Sequence, residues 1–263
     1  MKISVLMGTH NGAATVEAAI TSLQQQTEPS WELIVCDDRS TDATWEILQR
    51  LARTDPRIKP IHNTVAGGLA VALNRCLSVS QAPFIARMDD DDYSAPERFA
   101  RQLRALEKAP QMALVGSAVR LFSQPGQYYA TRACPRYPTT NQIFRGQNFV
   151  HPTVMIRRAA LLKVGGYTVM AQTLRCEDFD LWCKLYAQGY RGMNLTEPLL
   201  DYRESPATIR RRDAQQLHNV YAVMNRHRQH LSLTPFQQLY RFTPLLKSWM
   251  PQMVRNLRYR QVK

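Results

Sequence analysis

Four consecutive aspartates, Asp89, Asp90, Asp91 and Asp92, stand directly behind the strand-like run 83–88. Adjacent carboxylates repel one another and raise each other's pKa, so a positive partner is expected beside them. Oxygen-only donors favour a hard divalent cation, Mg2+ or Mn2+, which completes its shell with water and substrate phosphates. The plain alternative is a solvated acidic turn. Position argues against it, because ligands of open α/β sheets collect at the carboxyl ends of strands. A second acidic pair, Asp37-Asp38, ends the apolar run 31–36, and either residue could accept hydrogen bonds from a base edge or ribose hydroxyls. A third, Glu177-Asp178, opens an amphipathic stretch, where the bland reading is a helix N-terminus answering its dipole with acids.

The glycine pattern narrows the chemistry. The segment from Gly8 to Gly12 does not match G-x-G-x-x-G, and no G-x-x-x-x-G-K-[ST] occurs. Phosphates would then be held by a cation and side chains, which disfavours dehydrogenases, Rossmann methyltransferases and P-loop NTPases together. The acidic run also lacks the glycine and distal glutamate of an EF-hand loop.

These groups must be positioned by alternating elements. Short strands are expected at 3–7, 31–36, 58–61 and 84–88, with helices over 13–26, 42–53 and 69–79, the second capped by Ser40, Thr41 and Asp42. Strand–helix alternation with short connections predicts a parallel, three-layer α/β sheet. Further strands are expected at 113–122 and 153–157, a long loop over 123–148, and a helix from Glu177 to a stop at Gly189. Phe179 and Trp182 fall on the core face of that helix.

With 263 residues and 44% apolar composition, the chain can bury a sizeable core. The five cysteines form no C-x-x-C pair and read as reduced, mostly buried thiols of a cytoplasmic protein. The apolar stretch 3–7 is too short for a signal-peptide core, and no run approaches the length of a spanning helix. The net charge of +13 is concentrated late: no acidic residue follows Asp213, whereas Arg226, Arg228, Arg241, Lys247, Arg255, Arg258, Arg260 and Lys263 do. Phe236, Leu239, Tyr240, Leu246, Met250, Met253 and Leu257 recur among them at roughly helical spacing, with Trp249 suited to an interface. This pattern predicts short helices, divided at Pro235, Pro244 and Pro251, lying peripherally on an anionic membrane surface. The alternative is a helical pair packed on the body.

Taken in order, several segments resemble family 2 glycosyltransferases: Ile3 to Met7, then His10-Asn11-Gly12, then Glu32 to Asp42, then Ala86 to Asp92 with Pro96-Glu97-Arg98, then His151 to Met155, and Cys176 to Trp182. The resemblance covers about residues 3 to 205. It implies a GT-A fold over 1–205, with a nucleotide-sugar-binding half (1–92) and an acceptor-side half (93–205), followed by a basic helical extension (206–263). It implies transfer of a sugar from a nucleotide-diphosphate donor, a UDP-sugar by expectation, to a saccharide hydroxyl with inversion at the anomeric carbon. The acceptor would be polyprenyl-diphosphate-linked. By the same resemblance Asp38 contacts the base, Asp89 and Asp91 form the D-x-D pair with Asp91 the better metal ligand, and Asp178 is the general base, tuned by Glu177. Gly8, Asp37, Asp90, Arg87, His151, Arg210 and Arg211 are further candidates for the nucleotide-sugar site; Arg210 to Arg212 would close over the diphosphate. Gly8, His10 and Arg39 stand where proline, tyrosine and glycine are common in the family. Two competing readings are a sugar nucleotidyltransferase, which would need a glycine- and arginine-rich loop after the first strand, and a nucleic-acid-binding protein driven by the basic tail. The clustered carboxylates oppose the latter.

Overall fold

The computed structural model describes residues 1–64, 67–204 and 214–249. Its centre is a nine-stranded sheet in the order β3-β2-β1-β4-β8-β6-β9-β5, with β7 paired to β6. The first four long strands are β1 (Ile3–Thr9), β2 (Trp31–Asp37), β3 (Ile58–His62) and β4 (Phe84–Arg87), all parallel to their neighbours among these four. Each crossover is a helix: α1 (Val16–Gln24), α2 (Thr44–Thr54) and α3 (Gly68–Val79). β2 is buried along its whole length, as a parallel strand covered on both faces must be, and its apolar residues alternate between the two core clusters.

The second half completes the same sheet. β5 (Tyr93–Ser94) leads to α4 (Arg98–Lys108), then β6 (Leu114–Phe122) and β7 (Tyr128–Arg132) form a hairpin. α5 (Thr140–Phe144), β8 (Met155–Arg157), α6 (Arg158–Lys163), α7 (Glu177–Ala187) and β9 (Gly192–Arg203) follow. β8 runs antiparallel between β4 and β6, whereas β6 and β9 are parallel, so the parallel order of the first half gives way to mixed pairing. Three helices close the described chain: α8 (Ala214–His227), α9 (Pro235–Gln238) and α10 (Thr243–Trp249).

The loop expected over 123–148 contains β7 and α5. β7 escapes a periodicity reading because its residues are exposed or half-buried on both faces. α5 is announced by a capping box, Thr139 with Gln142, that the composition of the segment obscures. β9 and the two-residue β5 were also unmarked, although β9 is the longest strand. The start of α2 differs too: Ala43 is the capping position, and Asp42 instead accepts from the Thr44 amide at 3.0 Å and the Ala13 amide at 3.1 Å. Asp42 thus joins the turn before α1 to the turn before α2.

All five cysteines are free, and only Cys134 is not fully buried. No helix among the described residues is long and apolar enough to cross a membrane. α8 packs into the body through Val223 and Met224, and Pro244 of α10 is buried. Yet Phe236, Leu246 and Trp249 are 77%, 67% and 87% exposed. The described part of the tail, residues 214–249, therefore packs on the body and presents apolar side chains outward at once. Met250, Met253, Arg255, Leu257 and Arg258 lie outside the described residues, as do Arg210, Arg211 and Arg212.

Candidate active site

Register places the acidic groups. β1 and β2 pair Thr9 with Asp37, and β1 and β4 pair Leu6 with Arg87, so the chain leaves all three strands at one edge of the sheet. Asp38 follows β2 and uses its carboxylate to order the start of α3: Asn63 Nδ2 donates at 2.7 Å, the Gly67 amide at 3.0 Å and the Gly68 amide at 2.8 Å. Burial pushes the Asp38 pKa up, but these donors outweigh it and hold the carboxyl below its usual value. Asp38 lines a cavity of about 420 Å³ with Gly8, Thr9, His10, Leu69 and Asp90. Gly8 is needed there, since a Cβ would come within 3.1 Å of both Ala72 and Leu69. Asp37 does not share the wall. Its carboxylate is fully buried and taken by Ser40 and by His62 Nδ1 at 3.1 Å, which corrects the expectation that either aspartate could meet a base.

The aspartate run divides by direction. Asp90 Oδ2 turns back to accept from Thr9 Oγ1 at 2.5 Å, and a Cβ on Gly12 would strike that pair. Asp89, Asp91 and Asp92 bring one carboxylate oxygen each within 4.8 Å of one another. Asp92 is the member that sequence reasoning left out. It is fully buried, its Oδ1 accepts from the Arg203 amide at 2.8 Å, and its Oδ2 has no hydrogen-bond partner among the described residues. A buried, unpartnered carboxylate oxygen beside two further carboxylates fits a hard divalent cation of the Mg2+ or Mn2+ type.

Without such a charge the cluster is under electrostatic stress. Burial, then Asp89 and Asp90, push Asp91 up to about 7. Burial, then Asp89 and Asp91, push Asp92 well above the carboxylate range. Two arginines oppose this. The buried Arg87 guanidinium pairs with Asp89, while its Nε has no hydrogen-bond partner among the described residues. Arg98 is fully buried beneath, with NH2 donating to the Arg87 carbonyl at 2.5 Å; burial brings its pKa down to about 9.

Glu177 and Asp178 form the first turn of α7, after Arg175 adopts a left-handed backbone (φ 63°). Both line a cavity of about 580 Å³ that also exposes Arg87, Asp89, Arg132, His151 and Tyr202. Leu69 and Asp89 belong to this cavity and to the Asp38 cavity alike, so the two adjoin. Burial, then Asp178, push Glu177 up to about 7. Burial raises Asp178, against its hydrogen bond from the Phe179 amide at 2.7 Å. His151 sits in the wall with Nε2 at 2.9 Å from the Tyr167 hydroxyl; burial, then Arg87, hold it neutral. Phe179 and Trp182 are buried in the core, and Trp182 meets Phe149 edge-on at 5.3 Å.

Sequence reasoning brought forward Asp38, Asp89, Arg87, His151, Glu177 and Asp178, which the fold gathers along two adjoining cavities, and Asp91, which stands beside Asp89 in the acidic cluster. It missed Asp92, Arg203, Tyr167, Arg132 and Tyr202. Asp92 belongs to the run that the sequence already marks as a cation site, but nothing in the sequence separates it from its neighbours; the others come from strands and loops distant in sequence.

The family model for glycosyl transferase family 2 matches residues 4–166. EpsE of Bacillus subtilis (strain 168) is 37% identical over 257 residues, covering 97% of this chain and 92% of EpsE. The O-antigen biosynthesis glycosyltransferase WbnJ of Escherichia coli is 32% identical over 207 residues, 76% of this chain and 79% of WbnJ. The UDP-Glc:alpha-D-GlcNAc-diphosphoundecaprenol beta-1,3-glucosyltransferase WfaP of Escherichia coli is 25% identical over 195 residues, 73% of each chain. Among solved structures, S. aureus TarS 1-349 in complex with UDP-GlcNAc superposes with a TM-score of 0.69 at 19% identity, covering 94% of this chain and 71% of that one. The mannosyltransferase PcManGT from Pyrobaculum calidifontis, in complex with GDP-Man and Mn2+, does so with a TM-score of 0.64 at 20% identity, covering 98% and 79%.

Proposed function

The chain belongs to glycosyl transferase family 2 and has the GT-A fold, and we propose that it transfers a sugar from a nucleoside-diphosphate donor to a saccharide hydroxyl with inversion at the anomeric carbon. The observation that carries this reading is a pair of adjoining cavities that share Asp89. Asp89 brings the cluster it forms with Asp91 and Asp92 to the β4 side, Glu177 and Asp178 lie at the α7 N-terminus, and the buried Arg87 lines the wall with them.

Asp38 and Gly8 shape the cavity that takes the base, and Asp90 stiffens it through Thr9. Arg87 holds the donor's diphosphate, its Nε having no hydrogen-bond partner among the described residues. Asp89, Asp91 and Asp92 would hold a divalent cation, which neutralises the charge that develops on a departing nucleoside diphosphate. Asp178 takes the proton of the acceptor hydroxyl as that oxygen attacks from the face opposite the leaving group, so one displacement inverts the centre. Its raised pKa suits a general base, and Glu177 beside it orients the acceptor.

A uridine donor is the favoured choice because WfaP is named for UDP-Glc and TarS was solved with UDP-GlcNAc. WbnJ and WfaP, by their names, point to cell-surface saccharide assembly on a polyprenyl diphosphate. The exposed apolar residues of α9 and α10, interspersed with Arg241 and Lys247, suit peripheral contact with an anionic leaflet. The test is a panel of sugar nucleotides with Mn2+, read by thermal shift and then by release of nucleoside diphosphate. One donor should stabilise the protein and turn over slowly to water or faster to acceptor. Failure of every sugar nucleotide to bind defeats the proposal.

A further inference from the structure

A second cavity of about 580 Å³ opens on the other side of Asp178, between the α5–β8 connection, α7 and the C-terminal helices. The catalytic scheme above makes no use of it. Its chemistry is divided. Leu217 and Val220 of α8 and Pro244 of α10 provide an apolar wall, while Arg145, Arg175 and Lys247 bring positive charge. Asp178 is the only carboxylate among the described lining residues, and it stands at the end shared with the donor cleft. Arg145 is fixed over the face of Tyr240, 4.0 Å from the ring centroid, so its charge is oriented by the C-terminal segment. Lys247 belongs to the same short helix whose Leu246 and Trp249 face outward.

We propose that this cavity binds the anionic linker of a lipid-carried acceptor: the diphosphate lies between Arg145 and Lys247, and the isoprenoid chain leaves along the exposed face of α9 and α10. The inference rests on the glycosyltransferase reading and adds where the acceptor's carrier sits. Charge complementarity selects the occupant. Cations around an apolar wall match a diphosphate joined to a hydrocarbon chain better than they match a neutral saccharide. Size adds a consequence. A cavity in the range that encloses a drug-sized ligand, with the base at one end and the cations in the same space, takes a short acceptor. The accepting hydroxyl then lies on a sugar close to the linker, and the reactions that supply this substrate begin with the one that loads a sugar phosphate on the carrier.

Farnesyl diphosphate is a water-soluble probe of this chemistry. Its binding to the full chain is measured by calorimetry with the donor site filled by Mn2+ and a saturating nucleoside diphosphate, UDP or GDP. Saturable binding is expected under these conditions, weakened at least tenfold in the Arg145→Glu/Lys247→Glu double variant, with nucleoside diphosphate affinity unchanged. Inorganic diphosphate and farnesol should each bind more weakly than the joined molecule. The proposal is overturned if nucleoside diphosphate displaces farnesyl diphosphate, since the probe then only occupies the donor site, or if the double variant binds it as the wild type does. Unchanged nucleotide affinity reports that the variant is folded. Loss of nucleotide binding by the wild type would instead strike the glycosyltransferase reading.

Discussion

His227 Nε2 lies 2.8 Å from Asp180 Oδ1, and this buried contact ties α8 to the first turn of α7, two residues from Asp178. Asp180 also accepts from Thr168 Oγ1 at 2.5 Å and faces Arg226 at 3.4 Å and Lys184 at 3.9 Å. Removing one partner of a buried pair leaves an uncompensated charge, so Asp180→Ala should destabilise the fold by about 3 kcal/mol. Urea unfolding measures it; a loss below a few tenths would show that the tie carries no stability. The pH dependence follows from sign. Burial raises the Asp180 pKa, but His227 and Thr168 outweigh it and leave it depressed. Its contribution is present above the unfolded-state value near 4 and lost as pH falls through the folded value.

Asp91→Ala should abolish cation-dependent donor binding, and Asp92→Asn should weaken it at least tenfold, because each supplies an oxygen to the cluster. Calorimetry with Mn2+ and the donor found in the panel is the check. Wild-type affinity in Asp91→Ala would remove that residue from the site.

Stabilisation by Mn2+ should grow with pH. Asp91 titrates at about 7 in the cation-free protein, so the folded state keeps a proton that the unfolded chain loses near 4. That group favours the fold fully below about 4, and the advantage disappears as pH rises through about 7. Cation binding must displace the proton, so it is penalised at low pH. The rise in Tm on adding Mn2+ should be larger at pH 8 than at pH 6. An equal or inverted shift would place the cation elsewhere.

Asp178→Asn should leave donor affinity near normal while kcat falls about 10²-fold or more, since an amide cannot take the acceptor proton. Glu177→Gln should reduce kcat less. In the wild type, kcat should fall as pH is lowered, because burial raises the Asp178 pKa and pushes Glu177 beside it up to about 7. A pH-independent kcat would sink the assignment.

Replacing Leu246 and Trp249 by glutamate should release the protein from anionic vesicles in flotation at low salt, without loss of nucleotide binding. Each basic residue near such a surface contributes on the order of 1 kcal/mol, screened by salt. If the wild type already ignores the vesicles, the exposed face serves another purpose.

Much of the chemistry was legible because it is written in contiguous segments. Asp37-Asp38 and Asp89 to Asp92 stand at the ends of buried parallel strands, whose largely apolar runs announce both the strand and its end. Glu177-Asp178 opens a helix with a clear apolar face and a glycine stop at Gly189 (φ 82°). Local patterning therefore determined the alternating first half, the acidic groups at strand ends, and the basic, apolar character of the tail.

Tertiary structure decided how those groups divide. Neighbouring aspartates are equivalent in sequence, and only the turn after β4 sends Asp90 to Thr9 while Asp89, Asp91 and Asp92 converge. Asp37 and Asp38 likewise differ by one residue, yet one is consumed by Ser40 and His62 and the other faces the cavity. The mixed pairing of β8, β6, β9 and β5, and the cavity beyond Asp178 that α8 and α10 complete, depend on contacts between residues dozens of positions apart. Such contacts leave no periodic trace in the chain. A carboxylate's direction and pKa come from the donors, charges and solvent exclusion around it, and those are assembled only when the chain has folded.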